Sequence, residues 1–331
     1  MPVPAVLTNK APATNPSTAD LHLATSGSDW DWAVFALMLL SDLALIGWTY
    51  TRPRGARLFD YLGIIILTTV TIDYFTMASN LGHTPIQVQF LRDRAPGTTR
   101  AIWYTRYIDW FITTPLLLIM LLMSTGINIA SMLPIIFMDL VMVVCALIGA
   151  LTHSAYKWGY FAFSLAALVY VWACVWAQGP SAAGFLGSDV KVHFLRCAGY
   201  LMFLWFLYPI CWALSEGANV ISPTSEMIFY GILDLLTKPV FILFLLLSLK
   251  DIEFDRFGFQ SLKASETGTI DGPNYSGRPA EPGMTHANRA PAATTAGAGA
   301  EARGGTVAGG AGNATGAGAV PVAVAETAPR V

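Results

Sequence analysis

Seven long apolar runs, separated by short polar or turn-forming segments, dominate the pattern along the chain. A helix needs about 20 apolar residues to cross a bilayer core about 30 Å thick, and each run reaches or approaches that length. The sequence therefore predicts an all-α membrane protein, a bundle of seven transmembrane helices. The predicted spans one to seven cover residues 30–50, 59–81, 100–123, 129–151, 157–178, 192–214 and 225–249.

Both ends of the chain lack such runs. Residues 1–29 are rich in Pro, Thr, Ala and Ser and lack the charged start and apolar centre of a signal peptide, so we predict a mobile extracellular N-terminal tail. From about residue 258 the sequence turns to Ala, Gly, Thr and Pro, which cannot bury a core. We predict a disordered cytoplasmic tail over residues 251–331, which leaves residues 30–250 as the helical domain.

The composition agrees with a membrane location. Of the 331 residues, 54% are hydrophobic and 12% are charged, whereas about 25% are charged in soluble domains. The net charge of −2 gives no basic excess for binding nucleic acid, and the four cysteines lie in apolar runs without metal-ligand spacing. Membrane lipid is the partner that composition predicts. A homo-oligomer stays open, and the sequence indicates neither a signalling partner nor an enzymatic domain.

The distribution of Lys and Arg predicts an orientation. The segments between spans one and two, before Arg196 and after Lys250 are basic, which favours the cytoplasmic side. Arg92, Arg94 and Arg100 lie in a loop on the opposite side, so the rule is only mildly obeyed. We predict an N-terminus outside and a C-terminus in the cytoplasm, in the plasma membrane.

Ionisable residues inside the spans are the main candidates for function. A charge near mid-bilayer costs at least about 2.5–3.5 kcal/mol, so it indicates a role with a named partner. Asp234 and Lys238 are four residues apart and share one face of span seven, and Lys238 lies too deep for its stem to reach the interface. The two residues form either a structural ion pair between helices or a counter-ion beside an amine kept for imine formation with a carbonyl compound.

Other spans carry further polar residues. The spacing in span three places Arg106, Asp109 and Thr113 on one stripe that faces the bundle. Pro239 removes a backbone hydrogen bond directly after Lys238 and predicts an irregularity in span seven. Spans one and two each carry a carboxyl, Asp42 and Asp73 respectively. The two are either paired, exposed to water, or satisfied separately by neighbouring groups, and the last interpretation is favoured.

The segments RYIDWFITTPLLL and DLLTK resemble the third and seventh helices of microbial (type I) rhodopsins, in the form of fungal opsins that resemble bacteriorhodopsin. The resemblance extends through residues 30–250. It implies a seven-helix bundle with a retinal pocket, in which all-trans retinal forms a protonated Schiff base with Lys238. It also implies that Asp109 and Asp234 neutralise this charge, that Arg106 balances the two carboxylates, and that Thr113 hydrogen-bonds the carboxylate of Asp109.

Residues at the walls of that pocket agree with the same family. The segment WFLYPICW of span six resembles the aromatic residues that clamp the polyene, although such residues taken alone would be ordinary apolar core. Thr114 and Asp139 resemble a hydrogen-bonded pair beside the chromophore. The resemblance implies a pocket formed by Tyr74, Trp110, Thr114, Leu117, Asp139, Met142, Trp205, Tyr208, Pro209 and Trp212.

The same resemblance implies a light-driven outward proton pump. Asp109 would accept the proton of the amine, and Glu216 and Glu226 resemble the carboxylates of the proton-release group, although Glu216 alone could equally be a solvated loop charge. Eleven residues after Asp109, proton-pumping relatives have a carboxylic acid that returns the proton. This chain has Met120, whose thioether has no proton to give. We therefore predict a slow pump, with a photosensor of little net transport as the alternative.

Overall fold

The computed structural model describes residues 8–53, 56–250, 252 and 254–257. Within these residues seven helices are long and apolar enough to cross a membrane, which confirms the predicted seven-helix architecture. The remainder of the predicted C-terminal tail lies outside the described residues. From here on, spans one to seven are the helices Thr25–Tyr50, Leu58–Ala78, Tyr104–Met123, Ile129–Leu151, Lys157–Leu186, Ser188–Gly217 and Pro223–Ser248.

Two short strands lie between spans two and three. β1 (Thr84–Gln87) pairs antiparallel with β2 (Thr99–Ile102). Span three therefore begins at Tyr104 rather than at residue 100, because the chain first completes this ladder. Since successive spans cross the bundle in alternate directions, the connections after spans four and six lie on the same side as the strands, and we call this side the hairpin end.

The segment before span one is ordered where the structure describes it, so the prediction of a mobile tail is wrong for residues 8–24. It contains a short helix, Ala11–Thr14. The N–H of Leu21 donates to the carbonyl of Thr99 at 2.9 Å, and the N–H of Ala101 donates to the carbonyl of Leu21 at 2.9 Å. Pairing with β2 thus holds the stretch around Leu21, and Asn15 Nδ2 donates to the carbonyl of Ser79 at 2.8 Å after the short helix. The composition of the segment does not reveal either contact.

The junction of spans five and six is the largest difference from the predicted helix bounds. Residues 179–191, predicted as a connection, are helical except at Gly187. Gly187 has a φ of 140°, which residues with a Cβ rarely adopt, and the two spans meet there. The small and polar residues suggested a loop, but the backbone leaves helical geometry at this single glycine.

Two spans contain a widened, π-helical turn. One, Ala213–Gly217, ends span six, and the other, Leu236–Val240, lies within span seven. The second turn includes Lys238 and Pro239, whose ring nitrogen cannot donate to the helical hydrogen-bond ladder. The predicted irregularity in span seven is therefore confirmed, and it places Lys238 in a bulge of the kind often found at functional sites.

The polarity of the bundle is that of a protein surrounded by lipid. Large apolar side chains such as Leu40, Phe163 and Phe203 are exposed on the outside, whereas Arg106 and Lys238 are buried inside. Seven apolar helices with polar groups turned inward suit a bilayer, where a charge facing lipid would be costly. The chain is an integral, multi-pass membrane protein.

The carboxyls of Asp42 and Asp73 have separate hydrogen-bond donors, as the favoured interpretation predicted, although one oxygen of each has no partner among the described residues. Thr68 donates its hydroxyl to Asp42 at 2.8 Å, and Thr105 donates its hydroxyl to Asp73 at 2.8 Å. The first bond joins spans one and two, and the second joins span two to the first turn of span three. The described side chains therefore show no direct pair between these two carboxyls.

Candidate functional site

Lys238 lies in the interior of the bundle, with 1% of its surface exposed. Its Nζ donates to Asp109 Oδ2 at 2.6 Å and to Asp234 Oδ1 at 2.8 Å. The first bond joins span seven to span three, and the second joins residues one turn apart within span seven. Two buried carboxylates therefore share a single amine.

The two carboxylates are held differently. Asp234 also accepts from the hydroxyls of Tyr74 at 2.7 Å and Tyr208 at 2.8 Å. Asp109 Oδ1, in contrast, has no hydrogen-bond partner among the residues that the structure describes. Because hydrogen bonds to a carboxylate stabilise its charged form, Asp234 is the more firmly fixed anion. Asp109 is the carboxylate with an oxygen available to an incoming proton.

The predicted hydrogen bond between Thr113 and the carboxylate of Asp109 is wrong. Thr113 donates to the main-chain carbonyl of Asp109 at 2.9 Å rather than to its carboxylate, a local bond that helical hydroxyls commonly make. Arg106 bonds to Glu226 at 2.7 Å and makes no described ion pair with Asp109. The residues share one stripe of span three as predicted, but Thr113 bonds within that span and Arg106 bonds to span seven.

A cavity adjoins Lys238 and is enclosed largely by aromatic and aliphatic side chains. Trp110 of span three and Tyr208 of span six contribute to its walls, and the ring of Trp212 stacks on Phe161 with centroids 4.8 Å apart. The lining consists of Trp110, Thr114, Leu117, Met142, Val143, Ala146, Phe161, Ser164, Leu168, Trp205, Tyr208, Pro209, Trp212, Thr237 and Lys238. Such walls suit a flat apolar ligand with a group that reacts with an amine.

Of the ten residues predicted for the pocket, eight line this cavity. Asp139 lies behind the wall and accepts the hydroxyl of Thr114 at 2.7 Å, so the predicted pair is present. Tyr74 is not part of the lining, so its predicted place in the wall is wrong. Its hydroxyl turns instead to Asp234, because that buried carboxylate needs donors.

Span five contributes lining residues that were not predicted from the sequence. Phe161, Ser164 and Leu168 face the cavity with i, i+3, i+7 spacing. This spacing is a signal that could have found them, but span five is apolar on all sides, so no face stands out. Thr237 lines the cavity beside Lys238 and donates its hydroxyl to the carbonyl of Leu233, at 2.9 Å.

A second charged group of residues lies toward the hairpin end. The carboxylate of Glu226 is buried, and each of its oxygens meets a different arginine. Arg106 Nη1 lies 2.7 Å from Oε1, and Arg100 Nη2 lies 2.6 Å from Oε2. The prediction that Arg100 is a loop charge is wrong, since this β2 residue is 1% exposed.

Glu216 belongs to the same buried group and is not a solvated loop charge, since it is 3% exposed. It accepts from the hydroxyl of Tyr107 at 3.1 Å and from that of Ser215, and Arg106 Nη1 lies 3.7 Å away. Lys157 donates its Nζ to the main-chain carbonyl of Glu216 at 2.7 Å. We call Arg100, Arg106, Lys157, Glu216 and Glu226 the hairpin-end cluster.

The fold and the site define a class of protein: a seven-helix membrane protein with a buried lysine, paired with two carboxylates, beside an aromatic cavity. Comparison with known families agrees, since the sequence model described as bacteriorhodopsin-like protein matches residues 26–252. The chain belongs to this family, the microbial rhodopsins. The resemblance noted in spans three and seven is thereby confirmed.

Individual relatives are similar over most of their length. Protein FDD123 of Trametes versicolor is 47% identical over 258 residues, which cover 78% of this chain and 90% of that protein. Opsin-like protein carO of Fusarium fujikuroi is 46% identical over 263 residues, which cover 78% of this chain and 85% of that protein.

Solved structures of two light-driven proton pumps are also similar. The pump of Coccomyxa subellipsoidea gives a TM-score of 0.66 at 38% identity, covering 69% of this chain and 99% of that chain. The pump LR (Mac) of Leptosphaeria maculans gives a TM-score of 0.66 at 32% identity, covering 70% of this chain and 97% of that chain.

Proposed function

We propose that this chain binds retinal and acts as a light-driven outward proton pump. The observation that carries the proposal is Lys238, held between Asp109 and Asp234 beside an aromatic cavity. Retinal is a long, flat, apolar aldehyde, and the residues present fit it, since apolar walls adjoin a buried amine. The similarity to two light-driven proton pumps supports the same proposal.

The side chains around Lys238 decide where a proton on its Nζ can go. Retinal bound to Lys238 would supply light absorption and an isomerisation that weakens the hold of Nζ on its proton. Asp234 has its oxygens occupied by three donors, whereas Asp109 has an oxygen without a partner among the described residues. Asp109 therefore takes the proton from Nζ, and Asp234 stays charged.

The proton then leaves toward the hairpin end. Arg106 lies one turn from Asp109 on span three and contacts Glu226 at 2.7 Å, so it links the acceptor to the hairpin-end cluster. With the hairpin end outside the plasma membrane, the N-terminus is outside, the C-terminus is in the cytoplasm, and transport is outward. Membrane lipid and protons are the partners, and the mechanism requires no signalling partner.

Return of a proton from the cytoplasm is the slow step of this proposal. Met120 lies on span three, on the opposite side of Asp109 from the hairpin end, and is fully buried. Its thioether has no proton to give, so Nζ must be refilled by water or by a small weak acid. The same observation favours a second candidate function, a photosensor with a long-lived state.

A light-driven current measurement separates the two functions. For the retinal-loaded protein in oriented membranes we expect a sustained outward current that rises several-fold when azide or acetate is added, because a small acid can replace the missing donor. Recovery of the absorbance after a flash should quicken in parallel. No steady current with or without the acid would reject the pump and leave the photosensor.

Restoring a donor in span three should have a similar effect. Met120→Asp should speed recovery about tenfold or more without added acid, because a positioned acid commonly gives factors of 10²–10⁴. Met120→Asn is the matched control, since it adds a polar group of the same size without a releasable proton. Equal recovery in the Asp and Asn variants would mean that hydration, and not donation, limits the parent protein.

A further inference from the structure

The most unusual feature of the hairpin-end cluster is that two arginines bind the carboxylate of Glu226. Its two oxygens bind two separate guanidinium groups, at 2.6 and 2.7 Å, and all three side chains are almost completely buried. Charge-assisted bonds of this length strongly favour the carboxylate over the neutral acid. A proton could reside on Glu226 only by displacing one of the two arginines.

The balance of charges around Glu226 also favours its ionised form. Among the described residues the cluster has three cations, Arg100, Arg106 and Lys157, against the two carboxylates of Glu216 and Glu226. The site around Lys238 has the opposite imbalance, with one cation against two carboxylates. The two imbalances cancel, so neither site needs an extra proton for neutrality.

Other titratable groups within electrostatic range of Glu226 do not change this conclusion. Asp31 of span one is buried, and neither of its oxygens has a hydrogen-bond partner among the described residues. Because an ionised carboxylate buried without a partner is very costly, Asp31 is neutral, and the count of three cations against two carboxylates stands. The remaining groups are Glu216, Tyr107 and Cys211.

We propose that Arg100 keeps Glu226 ionised in the dark, while the excess of cations around it keeps Glu216 ionised as well. The hairpin-end cluster then stores no releasable proton, and each cycle takes up a cytoplasmic proton before it releases one outside. This inference rests on the proposed pump. The proton that leaves Nζ stays on Asp109 while Nζ is refilled from the cytoplasm. Asp109 then loses its proton past Arg106 to the outside, and one proton has crossed per cycle. Arg100 is a positioning residue, since it acts through Glu226.

Proton uptake and release can be timed with a soluble pH dye after a flash, on the retinal-loaded full chain in nanodiscs. We expect the parent protein to make the medium alkaline first and to return the proton later. Arg100→Gln should invert the sign of the first dye signal, because Glu226 then faces one arginine and can hold a proton for early release. Arg100→Lys, which keeps the charge, should retain the parent order. Arg94→Gln, at an exposed loop position, is the matched control and should also retain it.

A dark infrared titration provides a readout that does not depend on transport. At pH 7 the parent spectrum should contain no carboxylic-acid carbonyl band from Glu226, so the Glu226→Gln substitution should remove no such band. The spectrum of the Arg100→Gln protein should contain a Glu226 acid band. This test holds for the parent even if Arg100→Gln folds poorly, since a Glu226 acid band in the parent at pH 7 would already overturn the inference.

The outcomes separate this inference from the pump itself. Early acidification by the parent, with sustained current, would overturn the inference and leave the pump standing. Uptake-first behaviour in both the parent and Arg100→Gln would remove Arg100 as the cause. Absence of both a dye signal and a current would overturn the inference together with the proposed function.

Discussion

Lys238→Ala protein is expected to stay colourless when retinal is supplied, whereas the parent protein should absorb visible light. Lys238 Nζ is the amine that adjoins the aromatic cavity, and alanine leaves no nucleophile there. The substitution also leaves Asp109 and Asp234 as two buried carboxylates without their shared cation, which costs about 3–5 kcal/mol when one member of a buried pair is removed. Visible absorbance of the purified protein is the measurement, together with bleaching of the parent by hydroxylamine.

Control variants distinguish lost chemistry from lost folding. Lys238→Ala combined with Asp109→Asn removes one of the unpaired carboxylates, and we expect this protein to be folded but still colourless. Lys250→Ala alters an exposed lysine just after span seven and should keep the parent spectrum. Undiminished visible absorbance in a folded Lys238→Ala protein would overturn retinal attachment at this residue.

The membrane architecture could be predicted from the sequence because it depends on the length of apolar runs. A run of about 20 apolar residues has few alternatives to a spanning helix, and all seven spans are present. The pairing of Asp234 with Lys238 followed from their four-residue spacing, which is a local property of one helix. The irregular turn at Pro239 could be predicted for the same reason, since a proline ring removes a backbone donor wherever it lies.

The contacts that depend on distant segments could not be predicted in this way. Arg100 and Glu226 are 126 positions apart, and nothing local marks β2 as the strand that carries a buried arginine. Lys157 stands at the first position of span five, where a lysine usually reaches for the interface. Its Nζ instead donates to the carbonyl of Glu216, in the widened turn that ends span six. Nothing in the sequence around Lys157 predicts this contact.

Side-chain direction was the other limit. Helical spacing showed that Arg106 and Thr113 share a stripe with Asp109, but it could not show which way each side chain turns. Thr113 satisfies a main-chain carbonyl, and Arg106 turns to Glu226. As a result, Asp109 keeps an oxygen without a partner among the described residues, and this is the feature that makes it the proposed proton acceptor.

Asp109→Asn is accordingly expected to reduce the steady light-driven current to background. The amide cannot take a proton from Nζ, and Asp234 cannot replace it, because Tyr74 and Tyr208 already bond its oxygens at 2.7 and 2.8 Å. Removal of the carboxylate 2.6 Å from Nζ should also shift the visible absorbance to longer wavelength, since less counter-charge then holds the positive charge at the amine. Photocurrent and absorbance on the same preparation measure both effects.

Two further variants give this prediction its controls. Asp109→Glu keeps an acceptor and should retain part of the current, whereas Asp42→Asn alters a buried carboxyl of span one that bonds to Thr68 and should retain all of it. If the Asn variant at 109 still carries current at the parent level, then Asp109 is not the acceptor. The asymmetry between the two carboxylates would in that case describe only how the charge of Lys238 is held, and the proton would have to leave Nζ by way of Asp234.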